Sequence, residues 1–365
     1  MSAVFERIAI IGLGLIGSSI ARAAREHKLA NTIVGCDKNH TALAYAQAHH
    51  FVDVISHEPE EAVAQSELVI LATPPSTFEH ITKFIAPALR HGAIVMDTAS
   101  VKRTAIQFIH GHLPEHVYFI PAHPIAGSEQ SGVSAGRADL FSKRYVIVTP
   151  DAPEMSESLQ KITAFWKGMG AKIEGMPADM HDMIYAYVSH LPHLLAYAAR
   201  LTLHTSANAP QLQTFLRLSN SNPDLWSELF YLNQDNILTA LNRYVDATNH
   251  VLYELEQAPD DAPQNDNEDI ARTLLFPRIA AACLITTAME AERKAGVPFA
   301  RFAGQGFADF VSPASAPPDA DIENISGHSK QVAALIRDYN RRLALVHDLL
   351  ARNQYKELSQ VLSGK

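Results

Sequence analysis

The run Ile8-Ala9-Ile10-Ile11-Gly12-Leu13-Gly14-Leu15-Ile16-Gly17-Ser18-Ser19-Ile20-Ala21-Arg22 decides how the rest of the chain is read. It opens on four apolar residues, the mark of a strand buried on both faces. It then passes through G-x-G-x-x-G and continues as a helical pattern with Ala and Ile facing inward. Each glycine has its own task. Gly12 permits a tight turn out of the strand, Gly14 lets a pyrophosphate approach the backbone, and Gly17 lets the helix pack closely on the sheet. Unpaired N–H groups at the start of the helix complement phosphate charge.

Working outward, a second β-like run, Thr32-Ile33-Val34-Gly35-Cys36, ends at Asp37, 25 positions past Gly12. An acid at the end of the second strand suits the two ribose hydroxyls of NAD and repels the extra phosphate of NADP. The predicted cofactor is therefore NAD rather than NADP. The predicted cofactor-binding set is Gly12, Leu13, Gly14, Leu15, Ile16, Gly17 and Asp37, with Thr73, Pro74 and Ser100 at the ends of later strands.

Bulk properties narrow the function classes. The 365 residues suggest two domains, and 47% hydrophobic content is ample for a sizeable core. A formal charge of −9 argues against nucleic acid as a main partner. Cys36 and Cys283 make neither a disulfide framework nor a metal-ligand spacing, and no H-E-x-x-H appears among the 18 histidines. No metal is expected. The first residues run straight into the first strand, so no signal peptide is expected. The longest apolar stretch, Ile279 to Met289, falls far short of a membrane span. A soluble cytoplasmic protein is the expectation.

The first half alternates short apolar strands with helices. Strands are predicted at Glu67–Ala72, Gly92–Asp97, Val117–Pro121, Tyr145–Thr149 and Lys172–Glu174. Helices are predicted at Thr41–His49, Thr77–Leu89 and Pro153–Met169. This predicts an α/β, Rossmann-type, doubly wound and mostly parallel sheet over residues 1–176. Strand signals fade near Pro177. Helical patterns at Met180–Leu203, Asn236–Gln257, Ile270–Lys294 and Lys330–Ala351 predict an all-helical second domain over 177–365, with Gly296 as a C-terminal cap. The stripe Val332, Leu335, Ile336, Tyr339, Leu343, Val346 and Leu350 predicts a homodimer through that domain. Gln257–Asp269 and Gly304–Asp321 read as exposed loops.

In an open parallel sheet the ligand sits beyond the carboxyl ends of the strands. Of the residues there, His123 stands out, although its position equally fits a loop histidine on the surface. Pro124 holds its backbone extended, Gly127 leaves room, and an imidazole beside a nicotinamide can take a hydroxyl proton. Ser100 reads either as a bridge between cofactor, substrate and His123 or as a helix cap for a turn beginning at Val101. In Ser189-His190-Leu191-Pro192-His193, the four-residue spacing puts Ser189 and His193 on one face. A proline inside the helix costs about 3 kcal/mol and kinks it. Spacing alone favours core histidines at a satisfied kink. Arg217, nine positions before Trp226, reads as a carboxylate clamp or a surface salt bridge.

Taken in order, GLGLIG, Asp37, ATPPS, DTASVK, HPIAGSE, SHLPH and R-x-x-x-x-x-P-x-x-W resemble the prephenate/arogenate (cyclohexadienyl) dehydrogenase family, from about residue 7 to residue 235. The resemblance implies NAD-dependent oxidative decarboxylation of a cyclohexadiene to a tyrosine precursor or tyrosine. It implies that His123 is the base, that Ser100 links cofactor, substrate and His123, and that Ser189 and His193 orient the substrate. It implies that Arg217 pairs with a substrate carboxylate, with Glu129 at the mouth of the site and Trp226 nearby. Any inhibition by tyrosine is expected to act at the active site, and activity is expected to fall at acid pH as the base protonates.

The chain departs from the family where an acid three positions before the arginine is common; here that residue is Thr214. Neither a chorismate mutase stretch nor a separate tyrosine-sensing domain is expected. Two other readings share the architecture. A β-hydroxyacid dehydrogenase would carry a lysine where this chain has Ser189–His193, and a nucleotide-sensing module would not need the four polar groups together.

Overall fold

The computed structural model describes residues 3–127, 130–150, 157–204, 210–257, 268–315 and 327–364. The chain divides into two compact units, Met1–Asp182 and Met183–Lys365.

The first unit is built on six parallel strands in the order β3-β2-β1-β4-β5-β6. These are β1 (Phe5–Ile11), β2 (Ala30–Cys36), β3 (Val54–Ser56), β4 (Leu68–Leu71), β5 (Ile94–Asp97) and β6 (Tyr118–Phe119). The central strands are continuous apolar runs because helices cover both faces. Ile8, Ala9, Ile10 and Leu68 through Leu71 expose no surface. Ile8 aligns with Ile33 on one side and Leu68 on the other, so β1 lies between β2 and β4. The strand order reverses direction between β1 and β4. That reversal is where such a sheet opens a crevice at its carboxyl edge, and Gly12 and Thr73 both end strands there.

The alternating pattern predicts one sheet through residue 174; the chain builds two. Pro121 has no N–H with which to continue the ladder. The backbone turns there into β7 (Ala122–Pro124), which pairs antiparallel with β8 (Tyr145–Val148). β8 in turn pairs parallel with β9 (Lys172–Gly175). Aromatic rings join the two sheets in one core. Phe5 meets Phe165 edge-on at 5.6 Å, and Phe141 meets Trp166 at 5.1 Å. The strand Val54–Ser56 and the helix Pro59–Val63 are too short to show a period, and the helix Arg103–His110 is a further element beyond those predicted.

The described part of the second unit is helical. Its centre is Leu191–Leu203, in which Leu191, Pro192, Leu194 through Ala199, Thr202 and Leu203 are all buried. A helix apolar on every side belongs in a core. Tyr339, on the helix Ser329–Ala351, donates its hydroxyl to the Leu195 carbonyl at 3.1 Å. Tyr244, on Gln234–Glu256, donates to the Ala280 carbonyl at 3.1 Å. The stripe Val332, Ile336, Tyr339, Leu343, Val346 and Leu350 is buried within its own unit, so the stripe does not itself require a second copy. Gly296 caps the helix Phe276–Ala295 in the left-handed conformation (φ +67°), as expected.

Two prolines are accommodated alike. Five-residue π-helical turns, Ala186–His190 and Ala271–Leu275, each end two positions before a proline, Pro192 and Pro277. Widening the turn relieves the clash of the ring with the preceding carbonyls. The second device joins flanking segments into Glu268–Ala295, long and apolar enough to pass for a span by composition, unlike the short stretch read from sequence. More than half of its most apolar window is buried, as befits a core helix.

The expected exposed loop at Gly304–Asp321 is instead a helix, Gln305–Val311, followed by a 3-10 turn, Ser312–Ser315, with Phe310 buried. Residues 316–321, and residues 258–267 of the other expected loop, lie outside the described residues.

Candidate active site

The glycine turn between β1 and the helix Leu15–Glu26 is shaped as the motif requires. Gly12 has φ +95°, and a Cβ there would sit 2.7 Å from the Ala72 carbonyl oxygen. A Cβ on Gly17 would lie 1.9 Å from the Gly12 carbonyl oxygen, while one on Gly14 would meet nothing within 4 Å. Gly14, Leu15 and Ile16 are partly exposed. The backbone is thus tight where it packs and open where a pyrophosphate would approach. Asp37, just past β2, accepts the Leu13 N–H at 2.7 Å and the Asn39 N–H at 2.8 Å. The carboxylate ties the turn to the second strand and keeps lone pairs for ribose hydroxyls. Past β4, the Thr73 and Thr77 hydroxyls hydrogen-bond at 2.7 Å and Thr77 donates to the Pro74 carbonyl, fixing the Thr73-Pro74 turn. These residues fit a dinucleotide.

Ser100, half-buried, lies in the segment after β5. It is not a cap, because the next helix begins at Arg103 with Lys102 in the capping position. Around it lies a buried ion pair to which the sequence reading gave no role. Lys102 Nζ bonds Asp97 Oδ2, and both side chains are fully buried. Burial pushes Asp97 up and Lys102 down in pKa, and their mutual attraction opposes both shifts. Fixed dipoles complete the shell. Asp97 accepts the N–H groups of Ala99 (3.0 Å) and Ala122 (3.3 Å), and Lys102 donates to the Ala122 carbonyl (2.7 Å). The pair therefore grips both backbone polar groups of the residue before His123.

His123 lies on β7 rather than in a loop, paired with Ile147, and is 8% exposed. The strand arises because Pro121 releases the chain from the first sheet. His123 Nδ1 is 2.8 Å from His181 Nε2, and His181 Nδ1 is 2.8 Å from Asp182 Oδ1. A carboxylate only accepts, so with both rings neutral His181 donates to Asp182 and His123 donates to His181. His123 Nε2 is then left as a lone pair. Asp182 also accepts the backbone N–H groups of Lys102 (2.7 Å) and Arg103 (2.9 Å). His181 and Asp182 were missed in the sequence. An adjacent His-Asp pair near the start of a helix is the one local signal they leave.

The second unit gathers Ser189, His193, Arg217 and Trp226. Ser189 falls in the π turn, and its carbonyl accepts His193 Nδ1–H at 2.8 Å, which leaves Nε2 as the acceptor nitrogen. Trp226, on Pro223–Leu232, stacks on the His193 ring with centroids 3.4 Å apart and planes 17° apart. Arg217, in the 3-10 turn Arg217–Asn220, donates its Nε–H to Asp309 Oδ2 at 2.5 Å. It is neither a lone clamp nor an exposed surface pair; its side chain is 28% exposed. Asp309 was also missed, because it lies 92 positions away in a segment read as a loop. Glu129 lies outside the described residues.

Burial, with the nearby positive charge of Arg217, pushes His193 down to about 3. The unfolded chain takes up a proton near pH 6.5, the ordinary histidine value. The stability this ring contributes is therefore complete above about pH 6.5 and is lost as pH falls toward about 3. His193→Gln should make the drop in melting temperature between about pH 7 and about pH 4.5 smaller than in the native protein. An equal or larger drop means His193 is not a source of acid sensitivity.

Comparison with known proteins adds an independent line. Residues 20–175 match a family model described as prephenate dehydrogenase, nucleotide-binding domain. Residues 177–275 match one described as prephenate dehydrogenase, dimerization domain. The chain is 34% identical over 252 residues to a cyclohexadienyl dehydrogenase of Zymomonas mobilis, covering 66% of this chain and 86% of that one. It is 27% identical over 267 residues to a prephenate dehydrogenase of Bacillus subtilis, covering 70% and 72%. It resembles the crystal structure of an Aquifex aeolicus prephenate dehydrogenase in complex with hydroxyphenyl propionate and NAD+. The TM-score is 0.63 and the identity 28%, covering 69% of this chain and 92% of that one.

Proposed function

Because the chain belongs to the prephenate dehydrogenase family, we propose that it oxidatively decarboxylates prephenate, arogenate or both in tyrosine biosynthesis. NAD, when bound, supplies the hydride acceptor. The remaining work falls to the chain's own groups. His123 Nε2 takes the ring hydroxyl proton as hydride leaves the same carbon, the ring carboxylate departs as carbon dioxide leaving its electron pair to the ring, and the resulting phenolate oxygen takes the proton back as the ring becomes aromatic. His181 and Asp182 hold His123 in the tautomer whose Nε2 carries the accepting lone pair. Ser100 bridges cofactor, substrate and His123. Ser189 and His193 orient the substrate, and Arg217 pairs with one of its carboxylates. The family resemblance gives Glu129 a substrate-binding role, and Trp226 steadies His193. The observation that carries this reading is the His123–His181–Asp182 alignment on a fold whose glycine turn fits a dinucleotide.

We place the two domains at residues 1–176 and 177–365, as the strand signals predict. The protein works as a cytoplasmic homodimer through its second domain, and any inhibition by tyrosine is competitive at the active site. A β-hydroxyacid dehydrogenase is disfavoured because Leu191–Leu203 and the π turn before it carry no lysine. The test is NADH absorbance on adding prephenate or arogenate, each with NAD and with NADP. Turnover is expected with at least one substrate and NAD, and NADP is expected to bind about tenfold or more weakly, because its added phosphate faces Asp37. No NADH with either substrate would leave a sensing module as the better reading.

A further inference from the structure

The family match ends at residue 275, yet the helix Gln305–Val311 beyond it is packed into the polar group of the second unit. Asp309, 8% exposed, uses both carboxylate oxygens. Oδ2 accepts from Arg217 Nε at 2.5 Å, and Oδ1 accepts from Gln305 Nε2 at 2.7 Å. Phe310, fully buried, meets Phe215 with ring centroids 4.6 Å apart, two residues before Arg217. A Cβ on Gly306 would come within 3.0 Å of Leu218 Cδ2 and 3.5 Å of His193 Cε1. This helix is thus in close contact with the chain on both sides of the arginine.

We propose that Asp309 is a positioning residue that fixes the guanidinium plane of Arg217 for a substrate carboxylate. A guanidinium donates in a planar fork, so an anchor at Nε sets the direction in which the terminal nitrogens point. Gln305 holds the far oxygen of the anchor, and the Phe215–Phe310 contact holds the backbone on which it stands. This rests on the reading that Arg217 binds a carboxylate of the substrate. It adds to that reading a contribution from a segment beyond the end of the family-model match.

Two effects of the acid oppose each other, and their signs differ. As an anchor, Asp309 lowers KM for the anion. As a bare negative charge beside Arg217, it would raise KM. The test compares the native protein with Asp309→Ala, Asp309→Glu, Arg217→Ala and the Asp309→Ala/Arg217→Ala double variant, in steady state with the substrate that the native protein turns over. Asp309→Ala is expected to raise KM for that substrate about tenfold, as for loss of one oriented charge-assisted bond, with kcat and KM for NAD changed far less. Asp309→Glu should recover part of the loss, and the double variant should be no worse than Arg217→Ala alone. An unchanged or lower KM in Asp309→Ala, or full additivity in the double variant, overturns the proposal. Should Asp309→Ala fail to fold, Asp309→Asn, of the same size, carries the comparison. It keeps a weaker neutral acceptor and should raise KM by less than tenfold, whereas an unchanged or lower KM overturns the proposal. Absence of turnover in the native protein with both candidate substrates would instead remove the functional reading beneath it.

Discussion

His123→Asn is expected to lower kcat by about 10²–10⁴-fold, the usual contribution of a positioned general base. Asparagine is close in size and can still donate to His181, so β7 should keep its place. What is lost is the Nε2 lone pair. NAD affinity should hold, because the Gly12–Gly17 turn and Asp37 lie on the first sheet and make no hydrogen bond with His123 among those described. The check is kcat by NADH absorbance beside NAD binding by fluorescence. Near-native turnover would remove His123 from the chemistry. His181→Gln separates the base from its support. It should lower kcat by less than His123→Asn and change the pH dependence of kcat, because His123 no longer has a fixed tautomer. A pH profile identical to the native one would make His181 a packing residue.

Lys102→Met is expected to be strongly destabilising to the first unit. It leaves Asp97 as a charge with no countercharge in a site with no solvent exposure. Breaking a buried pair in this way costs about 3–5 kcal/mol, through desolvation that the partner no longer offsets. The Ala122 carbonyl also loses its donor, so the strand before His123 loosens and turnover should fall beyond what the loss of folded protein explains. Urea unfolding of Lys102→Met and of the Asp97→Asn/Lys102→Met double variant measures this. The double variant removes both charges and should regain much of the loss. A cost under about 1 kcal/mol for the single change would mean that Asp97 is protonated and the pair is not ionic.

The first unit was largely legible in the chain because its signals are local. A buried strand, three glycines at fixed offsets and an acid at the end of the next strand lie within 30 residues, and each answers a steric or electrostatic need of its own backbone. The long helices of the second unit were legible for a similar reason, since period and caps repeat within one segment. His123, Ser189, His193 and Arg217 could be singled out by residue type and motif. Their partners could not. That Asp97 and Lys102 clamp Ala122, that His181 and Asp182 orient His123, and that Asp309 meets Arg217 depend on segments 20 to 92 positions apart. Such contacts leave no period and no local composition. The same limit explains the second sheet, decided when Pro121 withheld a donor from β6, and the burial of 305–311, which opens a stretch whose Pro, Ala, Ser and Gly content reads as a loop until the fold packs Phe310 against Phe215. Local sequence determines which elements form, because backbone hydrogen bonds and periodicity close within a few residues. Which side chains face each other is decided only when distant elements pack, because there the deciding energy is the burial of paired polar groups.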